Sequence, residues 1–197
     1  MQIITRTAAE ALIALLLLVP IFELLNRRRF HNDQRTGAYL VFAAYLCAIY
    51  VVVGLPDIGY FRFRPNINLK PFQYMFSDLR STVPNVFLFL PLGCFLPILW
   101  ADFRSAWKTV FVGFLTSLTI ELLQIFTFRA TDVNDLMTNT LGTLLGYGFG
   151  RTIQHFFAPD FPEKDRTHIS LVFGTAFAVM FFLHPPFSAL IYRLLKW

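Results

Sequence analysis

The feature that most constrains this chain is a series of six apolar runs, at about 8–25, 37–55, 84–100, 107–127, 133–157 and 168–191. Most are close to the ~20 residues that an α-helix needs to cross the hydrocarbon core of a bilayer. Over the whole chain only 15% of residues are charged, against roughly 25% in an ordinary soluble domain. The expected fold is therefore all-α, a polytopic transmembrane helical bundle of five to six spans, with residues 1–197 forming a single transmembrane domain.

Two runs are irregular. The third holds Pro84, Pro91 and Pro97 with Gly93, and is expected to be kinked or broken. The sixth is interrupted by His184-Pro185-Pro186. If it ends there, Phe187 to Trp197 form an interfacial tail and five spans remain. The first run resembles a signal peptide, but it lacks a clear small-residue cleavage site and continues to Leu25, so it reads as a retained span.

The net charge of +5 is not a nucleic-acid footprint. The basic residues flank apolar runs instead of forming a stripe, so the expected partners are membrane lipids. Cys47 and Cys94 lie inside apolar runs without ligand-like spacing. They read as small buried hydrophobes, with no disulfide and no cofactor implied. The cluster Arg27, Arg28, Arg29 and Arg35 places the 26–36 loop in the cytoplasm. Over the whole chain nine basic residues then fall inside and eight outside, so the bias emerges only when the long loop and Arg129 are set aside as functional.

One deduction needs no orientation. Loops 56–83 and 127–133 are separated by two spans, so they lie on the same side of the membrane. Asn85, Glu121, Gln124, Arg129, Asp132, Asp135 and Asn139 are thereby gathered at one face. Glu121 and Gln124 are i and i+3 on one helix face, which Ser117 extends. Asp132, Asp135 and Asn139 follow i, i+3, i+7, and Gly142, Gly146 and Gly150 continue the stripe. Those glycines suit close helix packing. Thr131 or Asp132 suits an N-cap. Glu121, Gln124 and Asn139 are not accounted for by capping.

Three chemistries fit the polar set. Arg129 with Lys70, Arg62 or Arg64 would bind the phosphate or carboxylate of an amphipathic ligand. Glu121, Asp132 and Asp135 would hold a divalent cation through oxygen. Glu121 would serve as a general base. The last two are the weaker readings, because the chain has no His/Cys ligand set and no phosphate-cradling glycine loop. His31, His155, His168 and His184 lie away from this set and read as structural or interfacial. A further alternative is that the polar groups only lock the fourth and fifth spans together.

Three blocks, in order, resemble the VanZ-like family of bacterial membrane proteins: "NINLKPF" (66–72), "NVFLFLPLGCFLP" (85–97) and "ELLQIFTFRATDVNDLMTNTLGTLLG" (121–146). They cover a motif core of about 66–150. The resemblance implies a multi-pass protein of the bacterial cytoplasmic membrane, in a family named for resistance to teicoplanin, a glycopeptide with a lipid tail. It marks Asn85, Glu121, Gln124, Arg129, Asp132, Asp135 and Asn139 as signature positions without assigning any a catalytic role. The expected function is binding of an amphipathic envelope ligand, a lipid-linked cell-wall intermediate or a lipoglycopeptide, in an outer-face polar pocket built from these residues and Lys70. The alternative is a metal-dependent enzyme acting on a lipid or polyprenyl phosphate.

Overall fold

In a computed structural model of the chain, the structure describes residues 2–63, 65–72, 79–127, 129–157 and 161–195. Seven helices follow the apolar runs: α1 (Gln2–Leu25), α2 (Asp33–Val52), α3 (Leu79–Leu99), α4 (Ala106–Gln124), α5 (Val133–Phe157), α6 (Thr167–Ala178) and α7 (His184–Leu195). Among the described residues, five helical segments are long and apolar enough to cross a membrane, with α6 and α7 counting as one segment, Thr167–Leu194. Helix α5 is as long, at 25 residues, but is diluted by the polar side chains of its first two turns.

The chain forms two compact units, residues 1–61 with 167–197, and residues 62–166. The first is built from α1, α2, α6 and α7. A turn of wider, π-type helix, Asn26–Phe30, extends α1 and ends at His31, whose φ of 50° is left-handed. Asn26 then organises the reversal: its side-chain oxygen accepts from the Asn32 N–H (2.9 Å) and the Thr36 hydroxyl (2.8 Å). Asn32 caps α2 by accepting from the Arg35 N–H at 2.9 Å. The expected 26–36 loop is thus mostly helical.

The sixth run does not end at its prolines. A second π-type turn, Val179–Leu183, joins α6 to α7, and Pro185 and Pro186 sit in the first turn of α7. Proline is tolerated there because the first N–H groups of a helix have no intrahelical acceptor, and a π-type turn is one of the ways a helix absorbs a local break. The chain thus stays helical through His184-Pro185-Pro186.

The second unit rests on α3 against α5. Helix α3 is unbroken from Leu79 to Leu99 although it contains all three prolines. Each proline removes one backbone bond, and dense packing against α5 holds the helix together. The glycine stripe of α5 is the cause of that closeness. A Cβ on Gly142, Gly146 or Gly150 would overlap the backbone carbonyl oxygen of Val86, Leu90 or Cys94 respectively, and one on Gly93 would overlap that of Thr143. Residues four apart on α5 thus face residues four apart on α3, the small-residue mode of packing used where no hydrophobic force separates helix from lipid.

At the far end of this unit, the chain after α3 pairs with residue 163: Ala101 donates to the Glu163 carbonyl and Glu163 to that of Leu99, both at 2.8 Å. Asp102 meets Arg166 and, at 3.4 Å, Lys108 there. Desolvation works to raise the Asp102 carboxyl, but the hydrogen bond from Lys108 and the charges of both bases hold it below the usual range.

Candidate functional site

The site is assembled where the long loop crosses the turn between α4 and α5. Two short strands, β1 (Ile67–Asn68) and β2 (Thr131–Asp132), pair in parallel, Ile67 with Thr131 and Asn68 with Asp132. The pairing extends to either side. Arg62 N–H donates to the Phe126 carbonyl at 3.0 Å, and Thr131 N–H to that of Asn66 at 2.8 Å. Farther along, Phe72 N–H donates to Asn134 Oδ1 at 2.7 Å. The described residues of 62–72 therefore run beside the described residues of 126–134. The deduction that these two loops share one face is matched by direct pairing between them.

Side chains reinforce the ladder. Asn68 donates to Asp132 Oδ2 at 3.0 Å. The other Asp132 oxygen accepts the Asn134 N–H at 2.8 Å, capping α5 as the sequence suggests. Asn68 also accepts the Lys70 N–H at 3.2 Å, and Asn134 donates to the Lys70 carbonyl at 3.5 Å. Phe72 has φ 62°, a left-handed conformation that is costly for a bulky side chain and that the Asn134 contact helps to hold. The "NINLKPF" block thus works largely as a pairing segment.

Below the ladder lie the carboxylates. Glu121, buried at the end of α4, accepts the Asp132 N–H at 2.8 Å, and its own carbonyl accepts the Thr131 hydroxyl at 2.9 Å. These bonds satisfy one oxygen of a buried acid and fix how the chain turns from α4 into α5. Asn85 of α3 donates to Asp135 Oδ1 at 2.7 Å. Deeper, Asn139 donates to the buried Ser117 hydroxyl at 2.9 Å, joining α5 to α4. The spacing Gly113, Ser117, Glu121 puts these three on the α4 face toward α5, and Gly113 admits the Thr143 side chain.

Five of the expected residues, Asn85, Glu121, Asp132, Asp135 and Asn139, thus enter a knot of three hydrogen-bonded contacts within the second unit, Glu121 with Asp132, Asn85 with Asp135 and Asn139 with Ser117. Gln124 is buried on the Glu121 face of α4, and its carbonyl accepts from both the N–H and the hydroxyl of Thr127. The cations are arranged differently. Lys70 and Arg129 are exposed, as is Arg62, and the Arg129 charge acts on Asp135. Arg64 lies outside the described residues. Among the described residues no three His, Cys, Asp or Glu side chains gather so as to hold a metal ion. Sequence reasoning named Thr131 only as a candidate cap, whereas its hydroxyl donates to the Glu121 carbonyl, and it missed Asn68 and Asn134. The available signal was their position inside the "NINLKPF" and "TDVND" blocks.

The model of the VanZ/LLP1 family matches residues 38–154. The chain belongs to the VanZ/LLP1 family. It is a multi-pass membrane protein, as its apolar helices require. Within the family it is similar to Protein VanZ of Enterococcus faecium, 39% identical over 82 residues, 41% of this chain. The match spans 50% of that relative's length. No solved structure matches this VanZ/LLP1 chain.

Proposed function

We propose that this VanZ/LLP1 protein binds the anionic head of an amphipathic envelope ligand on the paired loops 62–72 and 126–134. The observation that carries this reading is the exposure of Lys70 and Arg129 on the two loops joined by β1 and β2. The knot fixes the loops and the cations meet the ligand. A guanidinium recognises phosphate or carboxylate through paired N–H donors, and an ammonium adds a point charge. Leu69 and Phe72 are 74% and 56% exposed beside Lys70, which suits a ligand with an apolar tail.

The ligand class is a lipid-linked cell-wall intermediate or a lipoglycopeptide of the teicoplanin type. The site faces the envelope side of the bacterial cytoplasmic membrane, and capture there lowers the amount of drug or precursor available for their encounter. The test is to express Arg129→Ala in a host that the parent protein protects from teicoplanin. The expected result is normal insertion with loss of protection. Full protection by a normally inserted Arg129→Ala protein overturns the reading.

A further inference from the structure

A cavity of about 560 Å3 lies within the first unit, lined by residues outside the signature blocks. The end of α2 shapes its mouth. Gly54, with φ 64°, donates to the Val51 carbonyl while Leu55 donates to that of Tyr50, both at 3.2 Å. This is the paired-bond helix ending that only a left-handed residue permits without strain. It folds the chain back so that the Tyr50 hydroxyl donates to the Pro56 carbonyl and Ile58 N–H donates to the Phe181 carbonyl at 3.1 Å. Asp57 is thereby brought to the cavity, held by accepting the N–H groups of Gly59 and Tyr60 at 2.7 and 2.8 Å.

Glu10 reaches the same cavity from α1 and His184 from α7. Both side chains are largely withdrawn from solvent, at 16% and 10% exposure, with 3.1 Å between Glu10 Oε2 and His184 Nε2. The Tyr192 hydroxyl donates to Glu10 Oε1 at 2.6 Å. Glu10 lies at the edge of the first membrane-length segment, Ala9–Phe30, where a carboxylate withdrawn from solvent still carries a cost. Ionisable residues of this kind in membrane proteins are candidates for a ligand or ion path. Both Glu10 and His184 fall outside residues 38–154, which the family model matches.

The lining decides the ligand. Two carboxylates, Glu10 and Asp57, face the space; among the described residues no lysine or arginine lines it, and its one basic group is His184, beside Glu10. Much of the remaining wall is apolar, with Val51, Leu55 and Met180, and Tyr50 adds an aromatic ring that attracts cations. Anions are repelled from such a cavity. A metal ion is poorly served, because no three ligating side chains converge among the described residues. The volume falls within the range of small-molecule sites, roughly 300–1,000 Å3.

We infer that this cavity is a second binding site, which takes an organic ammonium carried on an apolar body, with Glu10 and Asp57 neutralising its charge.

The test uses the full chain in nanodiscs of zwitterionic lipid, titrated calorimetrically with hexylammonium, hexanol and hexanoate. Saturable binding of hexylammonium is expected, with hexanol weaker by about tenfold or more, the scale of one charge-assisted hydrogen bond, and hexanoate not bound. Glu10→Gln keeps an acceptor for Tyr192 and is expected to weaken hexylammonium by a similar factor. Asp57→Asn keeps the loop's acceptor and serves as the second variant should Glu10→Gln fail to fold. Absence of saturable hexylammonium binding, equal binding of hexanol, or unchanged affinity in a folded variant overturns the proposal.

Discussion

Glu121 Oε2 accepts the backbone N–H of Asp132 at 2.8 Å, so a buried acid at the end of α4 sets the start of α5. Removing that acceptor leaves a half-buried N–H without this bond. Glu121→Ala is expected to lower stability by about 1–3 kcal/mol, and Glu121→Gln by clearly less because its amide oxygen still accepts. Thermal unfolding in detergent checks the order. Equal losses for the two variants would mean that the bond matters little.

Asn85 and Asp135 join α3 to α5 at 2.7 Å. Asn85→Ala loses one charge-assisted bond. Asn85→Asp places a second carboxylate against the first and is expected to be the more damaging at neutral pH, with partial recovery on acidification as one acid takes up a proton. Melting curves across pH in which Asn85→Asp never falls below Asn85→Ala would contradict the contact.

The glycine stripe gives a sharp contrast between two neighbours. A Cβ on Gly146 runs into the Leu90 carbonyl oxygen, whereas one on Gly148 meets nothing within 4 Å. Gly146→Ala is expected to cost about 1–3 kcal/mol through overpacking. Gly148→Ala is expected to be neutral or to stabilise by up to ~1 kcal/mol through helix propensity. Equal behaviour of the two in a thermal shift assay would refute the α3–α5 packing.

At the opposite end of the second unit, Arg166 and Lys108 hold Asp102 below its ordinary value of 3.8. A carboxyl lowered on folding contributes stability that is full above its unfolded value and fades as pH drops through the folded one. The melting-temperature gap between the parent and Asp102→Asn is therefore expected to be small, to shrink with added salt and to close in acid. A gap that persists unchanged at low pH would rule out the ion pairs as its source.

The helices were legible because length and apolarity alone decide whether a segment can cross a bilayer, and the run at 133–157 coincides with α5. The glycine spacing likewise announced a close helix approach. The β1–β2 ladder was not legible: two residues per strand carry no alternation, and Ile67-Asn68 and Thr131-Asp132 share no pattern that would pair them across more than sixty positions. The prolines Pro185 and Pro186 do not interrupt the helix because proline stops a helix only where its missing N–H is needed, and the wider turn at Val179–Leu183 shifts that need. For the site, spacings of four and three aligned Ser117, Glu121 and Gln124 on one buried face of α4. Spacing within one helix carries no information about its neighbours, so Asn68 meeting Asp132 and Asn85 meeting Asp135 had to come from the structure.

The most direct measurement of the central claim is equilibrium binding of a polyprenyl phosphate, and separately of teicoplanin, to the purified chain in nanodiscs, compared with Lys70→Ala and Arg129→Ala. The account predicts saturable, salt-sensitive binding of at least one of the two, weakened about tenfold or more by each substitution while the melting temperature stays close to the parent's. Affinity that is unchanged in both variants, or no binding of either ligand by the parent protein, would contradict it.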